Sequence, residues 1–209
     1  ATLPHSMPNA STFERRNGAY SMVIMAHPKV GLPYGSIPRL LLAWMTTEAV
    51  RTKDPALVLG PALSDFMNSI GMVKKTGGRW GSITRLREQM KRLFSSTVSC
   101  IYQEPGHELG MNFSIADNFD IWWNPKQPDQ AALWKSTVTL GHRFFEEVIN
   151  RPIPIDLRAL ELLKGSPMAL DIYFWLTYRM SYMSKRTEIP WGALELQFGS
   201  EYKKTKNFR

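Results

Sequence analysis

The 209-residue chain has one cysteine, four histidines and no apolar run longer than LLLAWM, Leu40 to Met45. A membrane span needs about 18 or more consecutive apolar residues, so no transmembrane helix is expected. Cys100 alone cannot close an internal disulfide, and a half-buried strand position suits it. His5, His27, His107 and His142 show no ligand spacing, so no structural zinc or other metal is expected, nor any cofactor. The first thirty residues lack the charged, apolar, small-residue succession of a signal peptide. SMVIMA, Ser21 to Ala26, is too short and too late for one. A cytoplasmic location is the expectation. Acidic residues are also few: 18 Asp and Glu against 26 Lys and Arg leave a net charge of +8 and a pI near 9.7. With 44% apolar and 21% charged residues the chain is neither disordered nor collagen-like. Its length predicts one to two domains.

The basic excess is concentrated. Residues 72–94 hold Lys74, Lys75, Arg79, Arg85, Arg87, Lys91 and Arg92 against Glu88 alone, a net +6, leaving +2 for the other 186 residues. Such a patch favours a polyanion, nucleic acid before an acidic membrane.

Residues 1–18 are polar, with Pro4, Pro8 and Gly18, and predict an extended N-terminal arm. AYSMVIMA predicts a strand, broken by HPKVGLPYGS. Ser36 is a candidate N-cap for a helix with Ile37, Leu40, Leu41, Trp44 and Met45 on one face. Asp54 and Pro55 turn the chain into the short strand ALVLG. Gly60 and Pro61 open a helix carrying Leu63, Phe66, Met67 and Ile70, closed by Gly71. After the turn KKTGGRWG, Ser82 is a candidate cap for a helix burying Ile83, Leu86, Met90, Leu93 and Phe94. Arg85, Glu88, Gln89 and Arg92 then fall on its opposite face. TVSCIYQ and GMNFSIA follow as a hairpin around EPGHEL. Helix, basic helix and hairpin in this order are the parts of a winged helix-turn-helix, whose second helix lies in the major groove. DIWWNP and LWKSTVTLG are expected to extend the sheet around the polar loop KQPDQ.

RPIPID, Arg151 to Asp156, predicts a domain boundary. Asp156 caps a helix with Leu157, Leu160 and Leu163, ended by Gly165. Ser166 and Pro167 open a longer one with Ala169, Ile172, Tyr173, Leu176, Met180 and Met183 on one face. EIPW starts a short helix with Trp191, Leu194 and Phe198, stopped by Gly199, before a second basic segment. The layout of the first half thus repeats. The expected fold class is α+β: tandem winged helix-turn-helix domains, 19–150 and 151–209, the second cut short at its C-terminus.

Other constellations favour ordinary explanations. KKTGGRWGS lacks the GxxxxGK[ST] pattern and no strand feeds it, so it is a turn rather than a phosphate cradle. Asp117 and Asp120 are expected to be solvated turn carboxylates. Tyr178, Tyr182 and Tyr202 invite comparison with strand-nicking tyrosines. Nicking needs a metal-binding histidine pair or a basic triad with histidine, and neither is visible, so no enzymatic activity is expected.

The chain resembles the plasmid-encoded RepA family of replication initiators from Glu14 to Arg209. ERRNG, HPKVGLPYGSIPRLLLAWMTTEAVRTK, GGRWGSITRLREQMKRLF, DLRALELLKGSPMALDIYFWLTYRMSY and IPWGALELQFGSEYKKTKNF carry the resemblance. It implies a bacterial cytoplasmic protein, associated with nucleoid or plasmid, that binds directly repeated origin sequences (iterons). It also implies opening of the adjacent duplex, recruitment of the host initiator and replicative helicase, and a monomer that initiates beside a dimer that represses. Members of the family usually continue for tens of residues beyond this point.

Arginine pairs bidentately with guanine and glutamine with adenine, so Arg85, Gln89 and Arg92 are the candidates for base edges. Arg79, Ser82, Thr84, Arg87 and Lys91 flank them and suit phosphates, which fix register without reading sequence. In the second domain Lys203, Lys204, Lys206 and Arg209 are the matching candidates. Which domain reads bases and which grips backbone or dimerises stays open. Two further functions compete: a dimeric winged-helix repressor of a palindromic promoter, without initiator activity, and a tyrosine-dependent DNA-nicking enzyme.

Overall fold

The helix predicted after HPKVGLPYGS runs through the centre of the molecule, and the rest is arranged around it. The computed structural model describes residues 3–199. In chain order these form β1 (Thr12–Asn17), β2 (Tyr20–Met25), α1 (Ser36–Thr52), β3 (Ala56–Val58), α2 (Leu63–Ser69) and α3 (Ser82–Phe94). Then follow β4 (Thr97–Glu104), β5 (His107–Ser114), β6 (Ala116–Asp120), β7 (Thr137–Leu140), α4 (His142–Asn150), α5 (Leu157–Leu163), α6 (Pro167–Tyr182) and α7 (Trp191–Phe198). No described helix is long and apolar enough to cross a membrane.

The elements make a mixed α/β fold with two small antiparallel sheets, ordered β1-β2-β4-β5 and β3-β7-β6. DIWW and STVTL therefore do not extend the first sheet as expected. Thr137–Leu140 pairs with Ala56–Val58 instead, and Trp123 leaves the strand to pack on Phe66 in the core. Asp117 and Asp120 lie in β6, Asp117 at its register shift, and not in a turn. The β4–β5 hairpin is tighter than predicted. Glu104 pairs with His107, so only Pro105 and Gly106 turn the chain.

The expected N-terminal arm is built into the structure. Thr12–Asn17 is an edge strand paired with β2, and Leu3 and Pro4 are buried. The main core gathers Leu41 and Met45 of α1, Phe66 and Met67 of α2, Leu86, Met90 and Leu93 of α3, and Val98, Val138 and Leu140 of the sheets. A second, smaller cluster joins Leu160 of α5 and Leu170 of α6 to Leu40 and Ala43 of α1. Thus α1 presents apolar surface to both halves, and α7 lies against β1.

Some predicted caps shift by one residue. The N-caps of α1 and α3 are Gly35 and Gly81, so Ser36 and Ser82 are the first helical residues. Asp156 and Ser166 do cap α5 and α6, accepting from the N–H groups of Arg158 and Ala169. On α6 the expected stripe packs only in part: Tyr173 lies against the second cluster, but Leu176 and Met180 are exposed, whereas Leu170 and Asp171, outside the stripe, are buried. The helix is apolar on nearly every side, so periodicity could not select the packed face.

Candidate nucleic-acid interface

Between α2 and α3 the chain makes a loop closed by its own polar groups. Ile70 is the C-cap of α2, and Gly71 follows at φ 76°, where only glycine sits without strain. Eleven residues later Ser82 ties the loop shut. Its Oγ donates to the Lys74 carbonyl at 2.7 Å and accepts from the Thr76 N–H at 2.9 Å, while its own N–H donates to Thr76 Oγ1 at 2.9 Å. Thr84 Oγ1 donates to the Gly78 carbonyl at 2.8 Å. At Gly81 a Cβ would stand 2.2 Å from the Thr76 carbonyl oxygen, so the loop closes this tightly only around glycine. The hydroxyls of Ser82 and Thr84, assigned to phosphates from the sequence, are instead spent in holding the loop.

Helix α3 buries Ile83, Leu86, Met90, Leu93 and Phe94, as its periodicity predicts. Arg85 and Lys91 are exposed, Arg87 is half-buried, and Lys74, Lys75 and Arg79 are exposed on the preceding loop. These place the basic window on one contiguous stretch of chain at the surface. Lys75 Nζ lies 3.3 Å from Asp129, whose carboxyl is held below its ordinary range by a hydrogen bond from Ser64 and then by Lys75. The Arg79 guanidinium lies over the Trp80 ring, 5.1 Å from its centroid. The Nε of Arg87 is screened from solvent with no hydrogen-bond partner among the described residues.

Two of the three predicted base readers do not face outward. Gln89 is 3% exposed, and its Oε1 accepts the Tyr34 N–H at 2.9 Å. Arg92 is half-buried; its Nη1 donates to the Leu32 carbonyl at 3.0 Å, and its guanidinium lies over the Tyr34 ring. The loop before α1 thus covers this side of α3. At about 100° per residue Gln89 lies only about 40° from Leu93, on the flank of the buried stripe rather than opposite it, and the loop before α1 closes over that flank. Only Arg85 of the three remains solvent-facing. Lys203, Lys204, Lys206 and Arg209 lie outside the described residues.

The β4–β5 hairpin carries no lysine or arginine, and its tip holds Glu104 and Glu108. Gln103 Nε2 donates to Glu108 Oε1 at 2.6 Å. Among α2, α3, the loop between them and this hairpin, the basic side chains are therefore confined to α3 and the loop before it. Cys100, on β4, is buried, and burial pushes its thiol pKa up, away from reactivity. Tyr178 and Tyr182 on α6 are exposed and pack edge to face, whereas Tyr202 lies outside the described residues.

A buried ionic cluster between α1 and α6 was not expected from the sequence. Arg39, 2% exposed, donates from Nε and Nη2 to the two carboxylate oxygens of Asp171, each at 2.7 Å. Its Nη groups also donate to the carbonyls of Leu3, Pro4 and Gly35. His5 Nε2 lies 3.0 Å from Asp171 Oδ2. Burial pushes the Asp171 carboxyl up, but hydrogen bonds from His5 and Arg39 outweigh it and hold its pKa at about 2. A signal existed: Arg39 interrupts the apolar side of α1, between Ile37 and Leu40.

A model of the family described as plasmid encoded RepA protein matches residues 32–191. No curated protein matches the chain. Among solved structures it is similar to domains 2–3 of RctB, residues 155–483, with a TM-score of 0.64 at 13% identity; the match covers 99% of this chain and 77% of that one. A second crystal structure of RctB domains 2 and 3 gives a TM-score of 0.58 at 12% identity, over 96% of this chain and 75% of that one. At such identities the likeness is one of fold.

Proposed function

The chain belongs to the family of plasmid-encoded RepA proteins, and from that membership we propose that it initiates plasmid replication by binding directly repeated origin DNA. In this proposal α2, the closed loop, α3 and the β4–β5 hairpin act as a winged helix-turn-helix with α3 in the major groove. One observation carries it: five of the seven cations of the +6 window, Lys74, Lys75, Arg79, Arg85 and Lys91, stand exposed on α3 and its loop. Arg85 reads a base edge there, while Lys74, Lys75, Arg79, Arg87 and Lys91 hold phosphates. Gln89 and Arg92 act from beneath, bracing the Tyr34 loop against the helix. In this proposal α5, α6 and α7 supply the helices of the second DNA-binding unit, and Lys203, Lys204, Lys206 and Arg209, which lie outside the described residues, are its candidate DNA contacts.

Binding at the repeats strains and opens the adjacent duplex, and the bound protein recruits the host initiator and the replicative helicase. The protein performs no covalent chemistry; a homodimer occupies the repressing state. Selection of bound duplexes from random DNA at two salt concentrations tests the proposal. The expected result is a defined site, found as direct repeats in a plasmid origin, with log K falling by about 0.9 per phosphate neutralised for each decade of salt. Inverted half-sites alone would favour the repressor, and a covalent tyrosine–DNA adduct on supercoiled plasmid with magnesium or manganese would overturn the non-enzymatic mechanism.

A further inference from the structure

Trp80 is the most exposed aromatic side chain among the described residues, at 80%. A single exposed apolar residue needs no explanation by itself. This one is displayed by structure. It sits directly before Gly81, in the loop that Ser82, Thr76 and Thr84 close with side-chain hydrogen bonds, and where a Cβ at residue 81 has no room. The backbone that carries the side chain at the entry to α3 is therefore closed by hydrogen bonds and a tight turn. Lys74, Lys75, Arg79 and Arg85, all exposed, surround it in sequence.

The Arg79 guanidinium lies over the indole, 5.1 Å from the ring centroid, so one face of the ring is covered and the other is open. Insertion between base pairs requires two open faces. A one-faced contact fits the geometry better, and it needs an apolar counter-surface inside a strongly cationic setting. In the major groove the apolar group that base pairs present is the C5 methyl of thymine.

Resting on the DNA-binding reading above, we infer that Trp80 lays its open face against a thymine methyl beside the α3 site, making it a specificity-determining residue. Arg79 positions the ring and brings positive charge to the neighbouring phosphate. The loop then adds apolar readout to a helix from which Arg85 supplies polar readout, and it compensates for the two polar side chains that face the Tyr34 loop.

The test uses the full chain and its selected duplex, with each thymine replaced in turn by deoxyuridine, which removes only the methyl. For the unaltered protein, one replacement should weaken binding about fourfold, the worth of one buried methyl. Trp80→Ala should bind the thymine duplex more weakly and lose that discrimination, and Trp80→Phe should retain part of it. Circular dichroism of both variants confirms that they fold, as expected for a substitution at an exposed position. Equal deoxyuridine penalties in Trp80→Ala and the unaltered protein would overturn the inference, as would unchanged DNA binding by Trp80→Ala together with loss of capture of a host replication protein. If the unaltered protein selects no site at all, the DNA-binding reading itself fails and this assignment falls with it.

Discussion

The two halves of the molecule are held in different ways. Up to β7, helices and both sheets share one core in which Leu41, Met45, Leu63, Met67, Leu86, Leu93 and Val138 are wholly enclosed. From α5 onward the buried cluster is Leu160 and Leu170 leaning on Leu40 and Ala43, while Leu162, Leu176, Met180 and Leu196 face solvent. A cavity of about 650 Å³ opens along the same seam, between Leu42, Val50, Phe144, Val148, Ile153 and Phe174. What the second half lacks in apolar burial it replaces with a buried ionic clasp: Arg39 on α1 grips Asp171 on α6, with the chain at Leu3 and Pro4 folded over them. A dispersed apolar core tolerates a local change by repacking. A clasp does not, because removing one partner leaves a charge buried and uncompensated.

The sharpest way to break the comparison is Arg39→Ala or Asp171→Ala. Either is expected to destabilise the protein by about 3–5 kcal/mol and to split urea unfolding into two transitions, the second half leaving first. A single unshifted transition would mean that the clasp holds nothing. Arg39→Lys should not restore the wild-type melt, because an ammonium cannot make the two-pronged contact with Asp171.

Core truncation probes the other half. Leu86→Ala, at a fully enclosed position, should cost about 3 kcal/mol in a single transition, whereas Leu162→Ala, 87% exposed, should stay within about 0.5 kcal/mol of the parent.

Acid separates the halves by another route. Asp171 has its pKa lowered from 3.8 to about 2 in the fold. Its contribution is therefore present above pH 4 and lost as pH falls through 2, with about 2–3 kcal/mol at stake. Titration of the second half's unfolding between pH 5 and 1.5 should show that loss, and Asp171→Asn should reduce the pH dependence to the share left by Asp156, whose pKa the Arg158 hydrogen bonds also lower.

The smallest effects concern the basic surface. Arg85→Ala should reduce specific binding by about 1–3 kcal/mol and nonspecific binding much less. Lys91→Ala should weaken both alike and lower the salt slope by about one. Gln89→Ala should act on stability instead, by about 1 kcal/mol, because it removes the partner of the half-buried Tyr34 N–H. Equal losses on specific and nonspecific DNA for Arg85→Ala would remove its base-reading role.

Much of this architecture was legible beforehand. The buried faces of α1, α2 and α3 follow from apolar spacing, and the starts of α5 and α6 from Asp156 and Ser166. Helix α4 escaped notice because it is nine residues long and starts after Gly141 without a side-chain cap, although Phe144, Phe145 and Val148 form an apolar stripe that packs on the main core. On α6 the ambiguity was intrinsic: with Leu, Ile, Phe, Trp and Met all round, no stripe stands out, and the buried Asp171 reads as a surface residue. Of the predicted interface, Arg79, Arg85, Arg87 and Lys91 remain available to a ligand, Ser82 and Thr84 close the loop, and Gln89 and Arg92 brace its neighbour.

By itself the sequence determined the local order of helices and strands, the placement of the positive charge and the family, since these depend on side-chain periodicity, caps and residue strings within short windows. Tertiary structure alone decided that β7 pairs with β3, that Tyr34 covers Gln89, and that Arg39 meets Asp171 across 132 positions of chain. Each of these brings together groups far apart in sequence, and the free energy that selects them, desolvation set against pairing, exists only once the core has excluded water.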